Sequence, residues 1–152
     1  KLARLNSLVD ETIFNLTSGS RFKQLLSPDA LAILFVESPF RTAEHIDNAL
    51  DVLTIFNTDT VIGVRNESDA FFRHDGSGMK PLNKSLNLRL EANEIYRKCG
   101  GLQIVDYTYF KNNLTSSGGK IGHLMLGEKA ALSVDSALTW SFAESLLKQG
   151  NN

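Results

Sequence analysis

The sequence predicts an α/β fold in one domain with a β-hairpin excursion at its centre, and three observations carry that reading. An uninterrupted apolar run at 31–36, LAILFV, has the make-up of a sheet strand covered on both faces. A helical stripe of Ile46, Ala49, Leu50, Leu53 and Phe56 follows it, and a second apolar run, TVIGV at 60–64, follows the stripe. Strand, helix and strand in this order make a βαβ unit, whose crossover should be right-handed and lead to a parallel strand.

The remaining elements read in order from the N-terminus. Leu5, Leu8, Val9, Thr12, Ile13 and Leu16 fall at helical spacing and predict an amphipathic helix over 5–17, broken by Ser18-Gly19-Ser20 and followed by a further turn toward Leu26. Ser27-Pro28-Asp29 is a turn, and Pro39 ends the first strand. Thr42 suits an N-cap, with Glu44 favourable in the first turn, and Asn57-Thr58-Asp59 breaks the helix. Residues 71–74 and 79–82 flank Asp75-Gly76-Ser77-Gly78 and predict a hairpin with a flexible tip. Residues 83–95 read as loop plus a short helix. A strand over 102–105 follows Cys99-Gly100-Gly101, Asp106 caps a short helix over 107–112, and Ser116-Ser117-Gly118-Gly119 is a loop. Short strands are expected over 121–126 and 130–134. Ser136 caps a final helix whose inner face carries Leu138, Phe142, Leu146 and Leu147, with Trp140 beside them as a core or near-core aromatic.

Composition narrows the partners. A chain of 152 residues is about one domain and can bury a real core. Its formal net charge is −1, with no clustered Lys and Arg, so a nucleic-acid-binding face is not expected. No apolar run approaches the ~20 residues that span a bilayer, so no membrane association is expected either. Cys99 is the only cysteine, which excludes an intrachain disulfide and fits a reducing, cytoplasmic compartment. Four Asn-x-Ser/Thr sequons, at Asn15, Asn66, Asn83 and Asn113, matter only for a secreted chain. Residues 1–22 read as the middle of a domain, so 1–152 is expected to be the C-terminal part of a longer one.

Six segments, in order, carry a family resemblance. They are the strand leading into Ser38-Pro39-Phe40-Arg41-Thr42 with its acidic helix; the strand at 60–65; the hairpin at 72–82 (FRHDGSGMKPL); Tyr96-Arg97-Lys98-Cys99-Gly100-Gly101-Leu102-Gln103-Ile104; Gly119-Lys120-Ile121-Gly122; and Ala131-Leu132-Ser133-Val134-Asp135-Ser136. Over 30–147 the chain resembles the sugar cytidylyltransferases, and among them the CMP-N-acetylneuraminate (CMP-sialic acid) synthetases. The resemblance implies a partial Rossmann-like nucleotide-diphospho-sugar transferase sheet. It also implies transfer of CMP from CTP to an acidic sugar, with release of pyrophosphate and use of Mg²⁺. The family opens with a strand and a Gly-, Lys- and Arg-containing loop around the triphosphate, and no such loop occurs in these residues. The chain alone is therefore expected to be inactive, with CTP and an acidic sugar as ligands of the complete enzyme. A homodimer, or association with the missing N-terminal portion, is expected. The other reading is a cytidylyltransferase-like module that binds or assembles without catalysing.

Candidate site residues follow. The loop Ser38-Pro39-Phe40-Arg41-Thr42 lies just past a strand's carboxyl end, where open α/β sheets hold ligands. Arg41 can fork onto a carboxylate or phosphate, or pair with Glu37 or Glu44 to hold the turn. By resemblance, Arg73 meets the sugar's carboxylate, and Arg97, Gly100 and Gln103 belong to a segment lying against sugar and nucleotide. The family's metal-binding Asp-x-Asp reads Ser133-Val134-Asp135 here, leaving Asp135 as the magnesium carboxylate. Its Gln-Pro-Thr becomes Phe35-Val36-Glu37, and its asparagine becomes Cys99. Cys99 has no histidine partner and reads as a spectator; His45, His74 and His123 lack zinc spacing and read as structural or exposed. No catalytic residue is assigned. Phe71-Phe72 would supply a dimer contact, one ring on each face of a strand.

Overall fold

The structure is a computed structural model that describes residues 8–19, 22, 28–67, 69, 71–82 and 95–149. Its elements are α1 (Val9–Ser18), β1 (Ala30–Leu34), α2 (Ala43–Ile55), β2 (Thr60–Glu67), β3 (Phe72–His74), β4 (Met79–Pro81), β5 (Ile95–Asp106), α3 (Tyr107–Asn113), β6 (Ile121–Met125) and α4 (Ala137–Gln149). The first helix matches the expected one over its described part. The expected turn toward Leu26 and the short helix within 83–95 lie outside the described residues, apart from Phe22 and from Ile95, which opens β5.

Four strands form a mixed sheet in the order β1-β5-β2-β6. β5 is antiparallel to both β1 and β2, so those two strands run in the same direction, as a βαβ unit requires. They are not neighbours, however: β5 lies between them. Its second half is the more apolar and pairs on both sides, Ile104 meeting Ala32 and Val61. β6 adds parallel to β2, Thr60 opposite Ile121. The first apolar run is therefore an edge strand rather than a central one. Only 30–34 pair, Leu34 is 46% exposed, and Val36 turns out into solvent at 93% exposure.

The core lies between α2 and the sheet. Ala49 of α2 and Val61, Leu102 and Ile104 of the strands are buried together, with Ile46, Leu50, Leu53 and Leu124 packed around them. Close approach of helix and sheet depends on Gly122, where a Cβ would come within 2.8 Å of Val52. The caps follow their expected logic. Asp106 Oδ1 accepts from the Tyr109 N–H at 2.7 Å at the start of α3, and Ser136 Oγ accepts from the Thr139 N–H at 3.2 Å at the start of α4.

Two expectations are corrected here. Residues 130–134 form no strand: a turn occupies 128–131, and Val134 donates to the Glu37 carbonyl at 2.7 Å as an isolated contact. The inner face of α4 is not the leucine stripe. Leu138, Trp140, Phe142 and Leu147 are exposed, and the helix docks through Thr139, Ala143 and Leu146, spaced i, i+4 and i+7. A small residue at the centre of that stripe lets the helix sit close. β3 and β4 make a separate two-stranded sheet, exposed along both strands. Among the described residues no helix is long and apolar enough to cross a membrane.

Candidate functional site

The site is built on a bulge in β5. Gly100 and Gly101 have φ of +69° and +50°, a left-handed backbone that side-chain-bearing residues adopt at a cost. The chain leaving β1 folds over this bulge. Arg41 Nη1 donates to the carbonyls of Phe35 at 2.7 Å, Gly101 at 2.6 Å and Gly100 at 3.2 Å, so one guanidinium ties the loop to the strand. A second socket lies on the other side. Cβ atoms at Gly63 and Gly100 would meet Leu126 Cδ1 at 2.7 and 2.2 Å, so the two glycines admit that leucine and anchor the turn that follows it.

Between the 35–38 loop, the ends of β2 and β5 and the segment entering α4 lies a cavity of about 450 Å³. Its lining includes the basic residues Arg65, Arg97 and Lys98, the carboxylate residues Glu37, Glu128 and Asp135, and the hydroxyl residues Ser133 and Thr139. Arg65 and Arg97 are directly opposite each other across β2 and β5. Glu67 Oε1 lies 3.3 Å from Arg65 Nε and 2.8 Å from Arg97 Nε, offsetting the repulsion of a like-charged cross-strand pair. Lys98 Nζ bonds to Gln103 Oε1 and lies 5.9 Å from the centre of the Phe35 ring. Burial pushes the Lys98 pKa down, against the pull of Asp10. Burial also pushes the Cys99 thiol up, with Arg97 and Arg65 opposing and Glu67 reinforcing, so the spectator reading fits its surroundings better than a nucleophile.

Asp135 opens onto this cavity and also braces the helix start, its N–H donating to Thr139 Oγ1 at 3.1 Å and its Oδ1 accepting from that hydroxyl at 3.3 Å. Among the described residues no three His, Cys, Asp or Glu side chains converge as a metal cage. A magnesium ion that keeps most of its water would need no such cage, and Asp135 is the carboxylate that the resemblance assigns to it.

Ser38, Arg97, Gly100 and Asp135 thus meet in one cavity. Pro39, Arg41 and Thr42 line its neighbour, a hollow of about 550 Å³ that also has His45 and Lys129 in its wall. Arg41 makes no ion pair with Glu37 or Glu44; the turn is held through the three carbonyls instead. Gln103 lines neither cavity: it is 3% exposed, with its amide spent on Lys98 and the Ser116 carbonyl. Arg73 lies on the exposed hairpin, away from both. The histidines are structural or exposed: His45 Nδ1 accepts from the Thr42 N–H at 3.0 Å, His74 Nδ1 accepts from the Gly76 N–H at 3.1 Å, and His123 lies against Tyr96 with ring centres 5.3 Å apart.

The chain matches the solved structure of a 4-diphosphocytidyl-2C-methyl-D-erythritol synthase from Anaerococcus prevotii with a TM-score of 0.62, at 14% identity, over 94% of this chain and 68% of that one. This is a nucleotidyltransferase-like fold. No family model matches the chain, and no curated protein matches it in sequence. In a fold of this kind ligands lie beyond the carboxyl ends of strands, and the 35–42 loop beyond β1 contributes to both cavities. Sequence reasoning missed Arg65, Glu67, Lys98 and Glu128. The first two had a signal: they are two apart at the polar end of β2, on one face of a strand whose apolar run ends at Val64.

Proposed function

We propose that this chain is the acceptor side of a cytidylyltransferase that transfers CMP from CTP to an acidic sugar and releases pyrophosphate. The observation that carries the reading is a cavity of about 450 Å³ whose wall holds both basic and carboxylate residues. A sugar acid has that pattern: one anionic group, and hydroxyls that donate to carboxylates. A triphosphate chain does not, since it brings no hydroxyls for those carboxylates to accept from. The fold neighbour, itself a cytidylyltransferase, supports the same class.

In this reading Glu37, Glu128 and Asp135 accept hydrogen bonds from sugar hydroxyls and set the acceptor's orientation. Arg41 holds the loop, and its carbonyl bonds keep Ser38 at the cavity wall. Magnesium carried by CTP would rest on Asp135 and neutralise charge on the leaving pyrophosphate. The exposed hairpin supplies a contact with a second copy.

A non-catalytic binding or assembly module is the second reading. It is favoured by Gln103, an expected ligand-binding side chain that is consumed inside the fold.

The test is calorimetric titration of the chain with N-acetylneuraminate and with CTP, alongside a pyrophosphate-release assay with both and Mg²⁺. The reading expects sugar binding, weak CTP binding and no pyrophosphate. Pyrophosphate release by this chain alone would overturn the division of labour. Absence of sugar binding would leave the module reading.

A further inference from the structure

We infer that Arg65 and Arg97, aligned by Glu67, form a clamp that seats the acceptor's carboxylate and selects acidic over neutral sugars. This deepens, and rests on, the acceptor-site reading above. Arg65 closes the second of the segments that carried the family resemblance, and Glu67 lies beyond all of them.

The pairing register makes the clamp. Arg65 and Arg97 are opposite each other, so both side chains rise from one face of the sheet, and Glu67, two residues beyond Arg65, shares that face. Two like charges in this position need a reason. One carboxylate serves both through a single oxygen, Oε1, and reaches each arginine at Nε. Its side chain is only 11% exposed, so it is a fixed anchor rather than a mobile surface charge. Anchoring at Nε leaves the terminal Nη groups of both guanidiniums without a hydrogen bond to any described residue, while both arginines line the cavity. Two positive charges share one negative charge, and the cluster carries a net charge of +1. A carboxylate neutralises it, and its two oxygens match the planar fork of an arginine. A phosphate chain would bring more negative charge than the cluster balances. Glu67 is a positioning residue; the two arginines meet the ligand.

The experiment titrates the full chain and its Arg65→Gln, Arg65→Lys and Glu67→Gln variants with N-acetylneuraminate, with its C1 methyl ester, and with CTP. Folding of each variant is checked by circular dichroism. Wild type should prefer the acid to the ester by about tenfold or more, and Arg65→Gln should bring the two close to equal. Arg65→Lys keeps the charge but not the fork and should lose part of the preference. Glu67→Gln is the sharpest arm. If only charge mattered, removing this carboxylate would strengthen acid binding; a clamp that needs its anchor predicts weaker acid binding and unchanged ester binding. Acid preference that survives in Arg65→Gln, or acid binding that rises in Glu67→Gln, would overturn the clamp while leaving the acceptor reading in place. Wild type that binds neither sugar form would overturn both. CTP binding that exceeds acid binding and is lost in Arg65→Gln would reassign the arginines to phosphate.

Discussion

Arg41 occupies the space that a side chain at Gly101 would need. A Cβ built on Gly101 falls 2.7 Å from Arg41 Nη1 and 2.8 Å from Ser38 Oγ, while the Gly101 carbonyl accepts from that same Nη1 at 2.6 Å. The glycine therefore does two jobs: it adopts a φ of +50° and leaves room for the guanidinium that holds the loop over β5. Gly101→Ala should cost about 2–4 kcal/mol, combining backbone strain with the overlap. Urea unfolding would measure it, and a loss under 1 kcal/mol would mean the loop shifts freely.

Removing the arginine tests the other half of that pair. Arg41→Ala leaves three carbonyls of a folded-over loop short of a donor, and about 2–4 kcal/mol of stability should be lost. Arg73→Ala, on the exposed hairpin, should change stability by no more than about 0.5 kcal/mol. Comparable losses in the two variants would contradict the placement of both.

Leu126 in its glycine socket gives a coupled prediction. The side chain is 6% exposed, packs with Ala130 and Ala131, and fills space that Gly63 and Gly100 leave open. Leu126→Ala should cost about 2–4 kcal/mol. Gly100→Ala should also destabilise, because its Cβ would fall 2.2 Å from Leu126 Cδ1 at a φ of +69°. Combined, the two changes should cost less than their sum, since the new methyl enters space the leucine has vacated. Additive losses in a double-mutant cycle would show that the two residues do not share the socket.

These contacts also show what the sequence could reveal. The helix stripe at 46–56, the caps at Asp106 and Ser136 and the hairpin at 72–81 were legible because each is a local pattern with a local cause. The position of β1 was not. An apolar strand reads the same at an edge or a centre, and only the long-range pairing of β5 decides between them. Arg41 stood out correctly as a loop arginine, but two of its three acceptors lie about 60 residues away in sequence, on backbone atoms that no motif displays. The α4 face was misread because leucines outnumber the alanine that makes the contact. The arginine pair escaped notice because cross-strand register brings Arg65 to Arg97, and register is set by bulges such as the one between Ile62 and Val64.

The hairpin predicts self-association. Phe72 pairs with Pro81 and His74 with Met79, which puts Phe72, Pro81 and Met79 on one face, and Phe72 and Met79 are 45% and 63% exposed. A two-stranded ribbon of this length is marginal in water without something against it. Sedimentation at tens of micromolar should therefore show a dimer, and Phe72→Ser with Met79→Ser should shift it to monomer without loss of the main sheet's far-ultraviolet signal. A monomeric wild type would exclude the hairpin as a contact with a second copy.

The hairpin tip carries a pH dependence of its own. Asp75 Oδ1 accepts from the Ser77 N–H at 3.1 Å and the Ser77 hydroxyl at 2.7 Å, while Lys80 bonds to Oδ2. Lys80, then Ser77, hold the Asp75 carboxyl at about 2, below its usual 3.8. The folded value lies below the unfolded one, so the ionised carboxylate favours the closed tip. That contribution is complete above about pH 3.8 and is lost as pH falls through about 2. Carboxyl-detected NMR should give Asp75 a midpoint near 2 in wild type and one moved toward 3.8 in Lys80→Ala. Lys80→Ala should also leave the amide shifts of Gly76 and Ser77 insensitive to acid below pH 3. A wild-type midpoint at 3.8 would mean that the lysine and serine do not hold the tip in solution.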